Sequence, residues 1–314
     1  MASPLFPKSI EVNNASIDQL ELLFTVATND LQNYLFTLNG KIISRAQILQ
    51  LRQDVNQRLV KLGADVGAWI STQIPNQYAL GQHDAARQQA HFGDKAAAGV
   101  ILGAIALTQF ANRSISISSE QIISPKQEIF DLHNQSVQAI MDDMSASFGT
   151  SLNAMARSAD QTISRIQALD IRRMIARGAM KNESADAISK QIADLIEHNG
   201  ISALVDKAGK RWSPDVYARM LVRTKMAEAR NNGMMNALTS IGHDLVEVSS
   251  HGASDSCGKW EGRILSISGN NTLYQSVADA QGSGDHIFGP NCKHGLNSVN
   301  PAFFPSGKKT PAMV

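Results

Sequence analysis

The chain has 314 residues, enough for two domains, and a formal net charge of +1. That balance excludes a strong field for nucleic acid or for an anionic membrane. Two cysteines in this length exclude a disulfide framework, and an aromatic content of 5% favours long helices over a dense β core.

Residues 1–15 carry Pro4 and Pro7 and read as an extended arm, without the charged and apolar regions of a signal peptide. Leu20, Leu23, Phe24, Leu31 and Leu35 predict a helix over 17–38, broken by Asn39-Gly40. Leu49, Val55, Leu59, Leu62 and Val66 predict a second over 44–73, with Pro75 expected to end it. Residues 76–95 are polar and helical in part. Residues 96–107 are apolar and uncharged, but shorter than the roughly 20 residues a membrane span needs. Gly99 and Gly103 suit close packing there, so this reads as a buried helix with no stable membrane span.

Residues 114–119 alternate Ser and Ile, the period of a short strand or extended link. Over 126–179 a single amphipathic helix is predicted, bent at Gly149, with a stripe of Val137, Met141, Met144, Phe148, Leu152, Met155, Ala159, Ile163 and Ile166. A methionine stripe at this spacing is a helix seam rather than a cofactor box. Ser184 caps a further helix that Asn199-Gly200 ends. Ser213-Pro214 opens the next, which runs to about residue 238 before Gly242. Residues 245–248 read as a strand and 263–267 as its partner. Beyond Gly269 the chain is turn-rich to Pro305, and Lys308-Lys309 lies in a solvated tail. The fold class is mainly α with a small C-terminal α+β domain: long helices followed by a short antiparallel sheet. Residues 1–205 form an elongated helical domain with its N-terminal arm. Residues 206–314 form the small α+β domain that carries the Cys/His loops.

The chemistry concentrates in that last part. Cys257 and Cys292 are accompanied by His251, His286 and His294. Zinc takes four ligands from thiolate and neutral imidazole. Cys257, Cys292 and His294 are candidates, with His251 or His286 as the fourth. No Cys-x-x-Cys pair is present, so two reduced, packed thiols are an equal reading; a disulfide ranks third, because synthesis is in a reducing compartment. Pairing of 245–248 with 263–267 places the Cys257 loop at one sheet end. The return over 269–290 is long enough to bring Cys292 there, so the two thiols are expected to be neighbours. A zinc deaminase is excluded, since Pro290 is followed by Asn291 and not by Cys-x-x-Cys. A cysteine nucleophile with a histidine base, Cys257 with His251, is compatible with composition, but geometry decides it. Arg223-Thr224, Ser249-Ser250 and Glu261 invite an ADP-ribosyltransferase-like reading. Against it, Arg223 lies inside a predicted helix and no phosphate-binding glycine loop occurs. Trp212 and Trp260 are expected to anchor the small domain.

Taken in order, Trp212 to Tyr217, Arg223-Thr224, Val248-Ser249-Ser250-His251, Cys257 with Trp260-Glu261-Gly262, and Gly289-Pro290-Asn291-Cys292-Lys293-His294 resemble the C-terminal signature of the phage minor capsid protein 2 family. A more distant likeness is to the head morphogenesis proteins typified by the F protein of phage Mu. Those relatives carry a Cys-x-x-Cys pair and a His-x-x-Cys-x-Cys block. Here Trp260 stands at the second position of the pair, Gly289 replaces the histidine, and His294 the last cysteine. The resemblance implies a non-enzymatic structural protein of the virion, made in the bacterial host cytoplasm and present in multiple copies. It would act in head morphogenesis at the portal vertex or capsid interior, touching the portal protein, the major capsid protein and packaged DNA. The alternative is a C-terminal enzyme or toxin-like domain, ADP-ribosyltransferase-like, carried by a helical scaffold. The sequence ends soon after the Cys292 block, so no added domain is expected.

Overall fold

A computed structural model describes residues 5–6, 14–36, 45–107, 126–167, 204–205, 211–285 and 287–300. The protein is predominantly α-helical with a small C-terminal antiparallel sheet. The helices are α1 Asn14–Phe36, α2 Arg45–His91, α3 Lys95–Leu107, α4 Gln127–Gln167, α5 Pro214–Ser240 and the short α6 Val277–Gly282. The strands are β1 Leu204–Val205, β2 Arg211–Trp212, β3 Leu245–Val248, β4 Ile264–Ser266 and β5 Leu296–Ser298. Among the described residues no helix is long and apolar enough to cross a membrane. The expected Ser/Ile segment at 114–119, the helix from Ser184 to Gly200 and the Lys308-Lys309 tail lie outside the described residues.

The chain groups into two compact units. One comprises Ala15–Trp69 and Met144–Arg219; the other comprises Met1–Asn14, Ile70–Asp143 and Met220–Val314. Most of the stretch where a boundary was expected, around residue 205, lies outside the described residues. The grouping differs from a division at 205/206, and the reason is apolar burial. The sheet residues Val246, Val248, Leu265 and Leu296 share one core with Ala79, Ala85, Ala86, Ala98, Ile101 and Ile105. The alanine-rich face of α2 and the apolar α3 thus bury against the strands.

The first unit is mainly helical and also holds the two-stranded β1–β2 pair. Ile17, Leu20, Phe24 and Leu31 of α1, the stripe from Ile48 to Trp69 on α2, and Met144, Phe148, Met155, Ala159 and Ile163 of α4 are all buried. The Phe24 and Phe148 rings lie 5.4 Å apart, and the Trp69 indole N–H donates to the Ser16 carbonyl at 3.0 Å. The methionines at the predicted spacing are seam residues, as Met144 and Met155 show.

In the second unit α2 continues to His91, past Pro75, where the sequence suggests a stop. Proline removes one N–H and crowds one turn. Burial of Ile74 before it and of Tyr78, Ala79, Gln82, Ala85 and Ala86 beyond it holds the helix on course. There α2 meets α5 at backbone contact. A Cβ on Gly81 would fall 1.9 Å from the Arg230 carbonyl oxygen, and one on Gly233 would fall 2.1 Å from that of Tyr78. The crossing is closed by a buried ion pair, with Arg230 Nη2 2.6 Å and Nε 3.0 Å from Asp84 Oδ2.

The sheet has the order β4-β3-β5, antiparallel throughout, with Val246 opposite both Leu265 and Ser298. The β3–β4 pair agrees with the sequence reading. The third strand β5 and the helix α6 lie in the segment read as turns. A helix covers the exposed edge of β5: Gln88 Oε1 accepts from the Ser298 backbone N–H at 2.6 Å, and Gln89 donates to Ser298 Oγ at 2.6 Å. This satisfies edge groups that would otherwise pair with another chain.

Candidate metal centre

All three strands of this sheet place one end together. The C-terminal end of β3 meets the N-terminal ends of β4 and β5, so the 249–263 loop and the 287–295 turn converge. Ser249 fastens them: its N–H donates to the Gly295 carbonyl, and its hydroxyl accepts from the Gly295 N–H, both at 2.9 Å.

In the first loop a 3-10 turn, Ser256–Trp260, carries Cys257. Asp255 caps it by accepting from the Cys257 N–H at 3.0 Å. The turn packs so tightly that a Cβ on Gly258 would lie 2.4 Å from the Ala253 carbonyl oxygen. Ser256 donates to the Asp285 carbonyl at 2.8 Å and Lys259 pairs with the Asp285 carboxylate at 2.6 Å. Trp260 is buried in the shared core, the anchor the sequence suggests, whereas Trp212 is only half-buried. In the second turn Phe288 (φ 58°) and Asn291 (φ 63°) are left-handed. That conformation is costly for a phenylalanine, and it brings Cys292 round to the first loop.

Cys257 Sγ, Cys292 Sγ and a His294 ring nitrogen form one group whose ligand atoms lie within 4.8 Å of one another. The two thiols are neighbours, as the strand pairing suggests, and both cysteines are free. His294 Nδ1 lies 3.3 Å from Cys292 Sγ, and its Nε2 lies 3.1 Å from Glu261 Oε1. His251 stands outside that group but beside it. It groups with Glu261 and His294, its ring 4.3 Å from that of His294, and it forms no such group with both cysteines. His286 lies outside the described residues.

Glu261 is the residue whose part the sequence did not reveal. Its carboxylate accepts from the backbone N–H groups of His251 (2.9 Å), Gly252 (3.2 Å) and Ala253 (2.9 Å) as well as facing His294. The Trp260-Glu261-Gly262 triplet beside Cys257 was the available signal, but its partner is 33 residues away. The Ala253 and His251 amides, helped by His294, hold the Glu261 carboxyl down at about 2. Burial pushes the Cys257 thiol up to about 12, and the facing Cys292 adds to this. Burial also opposes ionisation of Cys292. The His294 side chain and the His294 and Phe288 backbones outweigh it, so Cys292 ionises below the ordinary thiol value. For His294, burial favours the neutral ring, but Cys292 and Glu261 together raise its pKa.

Three residues here could hold a metal ion. Tetrahedral zinc, with bonds of about 2.3 Å to sulfur and 2.0 Å to nitrogen, needs ligand atoms roughly 3.5–3.8 Å apart. The 3.3 Å between Cys292 Sγ and His294 Nδ1 needs only a small expansion. Glu261 on Nε2 is the carboxylate partner that directs the other nitrogen of a ligating histidine to a metal. The same atoms also form a Cys292–His294–Glu261 relay of the kind that activates a nucleophile. A cavity of about 210 Å³ lies between α5, α6 and the Phe288 turn, but none of these three side chains lines it. As for the ADP-ribosyltransferase-like set, Arg223 is half-buried on α5. Ser249 and Glu261 are occupied in fastening the loops.

The family model for phage minor capsid protein 2 matches residues 47–310. No curated protein matches the chain, and no solved structure does.

Proposed function

The chain belongs to the phage minor capsid protein 2 family, and from that premise we propose that it is a non-enzymatic structural component of the portal vertex. In this reading it is present in a few copies per head and contacts the portal protein and the neighbouring major capsid protein. The family match over 47–310 carries the proposal. The near-zero net charge supports protein partners over packaged DNA as the main contact. Cys257, Cys292 and the Nδ1 of His294 supply three of the four zinc ligands, with Glu261 fixing the histidine. Bound there, zinc would cross-link the two loops at the sheet end. The test is quantitative mass spectrometry of purified particles and procapsids, with cross-linking to the portal. Low-copy presence with portal cross-links is expected. Absence from particles and from every assembly intermediate would overturn the proposal.

A further inference from the structure

We propose that the second unit binds one ordered water between α2 and α4, held by His133, Gln82 and Asn134. The inference begins at Tyr78, which is 2% exposed. Its hydroxyl oxygen accepts from Asn236 Nδ2 at 2.8 Å, and Ser136 is a second side-chain partner. Its proton is therefore free to go to His133 Nδ1, 2.8 Å away. An imidazole that accepts on Nδ1 and is neutral carries its proton on Nε2. His133 is 1% exposed, and burial holds it neutral, with its pKa down at about 4. Its Nε2–H is consequently a buried donor, and among the described residues no protein atom accepts from it.

Close by, two more buried polar atoms lack a protein partner among the described residues, Gln82 Nε2 and Asn134 Oδ1. All three residues line one cavity of about 10 Å³, together with Pro75, Tyr78, Ala79 and Val137. That is the size at which a single water fits, and three hydrogen bonds are typical of a buried one. Pro75 contributes to the wall a ring that carries no N–H.

Donor and acceptor counting selects the occupant. The unpartnered atoms of the three lining residues are two N–H groups and one carbonyl oxygen, so a ligand that satisfies them must accept twice and donate once. Water does both. A metal cation would meet two donors. Ammonium accepts nothing, and chloride would leave Asn134 Oδ1 without a donor. The water completes a chain from Asn236 on α5 through Tyr78 on α2 to His133, Gln82 and Asn134. Buried polar groups are thereby satisfied whose loss would each cost stability.

Nuclear magnetic resonance of the full-length chain carrying ¹⁵N-labelled histidine tests this, with His133 assigned by the signal missing from His133→Gln. At neutral pH the ring is expected as the Nε2–H tautomer, with its Hε2 showing a cross-relaxation peak to a long-lived water. In Gln82→Met the tautomer is expected to persist, because Tyr78 sets it, while the water peak weakens. An Nδ1–H or protonated ring overturns the proposal, as does an Nε2–H ring without the water peak. A water peak undiminished in Gln82→Met would remove Gln82 from the site.

Discussion

Replacing Gly233 by alanine puts the crossing of α2 and α5 to a direct test. The added Cβ would sit 2.1 Å from the Tyr78 carbonyl oxygen and 3.3 Å from the Gln82 nitrogen. Both obstacles are backbone, so no side chain can rotate away and the helices must part by more than 1 Å (roughly) to restore ordinary contact. Overpacking costs about 1–3 kcal/mol. Parting the helices also stretches the buried Asp84–Arg230 pair, and breaking such a pair costs about 3–5 kcal/mol. Against this, alanine gains about 1 kcal/mol over glycine inside a helix. The net expectation is a loss of about 2–4 kcal/mol, if the ion pair is strained rather than lost. Gly149 in α4 is the control, because its added Cβ meets nothing within 4 Å; Gly149→Ala should gain up to about 1 kcal/mol. Urea unfolding followed by tryptophan fluorescence and circular dichroism reads both as midpoint shifts. A Gly233→Ala protein as stable as wild type would refute the backbone contact at this crossing.

Acidification should weaken the second unit through His133. Its pKa is about 4 when folded against an ordinary 6.5, so its contribution is complete above about 6.5 and lost as pH falls towards 4. The size is about 3 kcal/mol by linkage, read from unfolding midpoints between pH 7 and 4; His133→Gln should flatten that dependence. Glu261→Gln removes the carboxylate that orients His294 and should lower zinc affinity by about 10–100-fold, measured by chelator competition; unchanged affinity would contradict its role. Wild-type protein should purify with one zinc per chain and Cys292→Ser with far less, by elemental analysis; equal metal in both would exclude the site. Residues 206–314 expressed alone should show no cooperative unfolding, because their core lacks Ala79, Ala85, Ala86, Ala98, Ile101 and Ile105. A sharp transition would show that the sheet stands without α2 and α3.

What was legible in the sequence was local. The periodic stripes of α1, α4 and α5 and the β3–β4 pair follow from spacing, and the Cys257–Cys292 proximity follows from that pair. Pro75 misled because a breaker acts on one turn, whereas the burial that overrides it is spread from Ile74 to Ala86. Strand β5 was hidden because Leu296-Asn297-Ser298 has no alternation. All three are buried, and their partners Gln88 and Gln89 lie 209 residues away for the side-chain bonds. His251 was one of two candidates for the fourth ligand, yet its ring groups with Glu261 and His294, and its backbone N–H donates to Glu261. The division of the chain depends on which apolar faces meet, and spacing along the chain does not encode that.

The most direct measurement is an asymmetric electron cryomicroscopy reconstruction of the mature head, focused on the portal vertex. The expected result is density for this chain in contact with the portal and the surrounding capsid protein, at low copy. Density spread over the whole icosahedral lattice, or a portal vertex without this chain, would contradict a portal-vertex structural role.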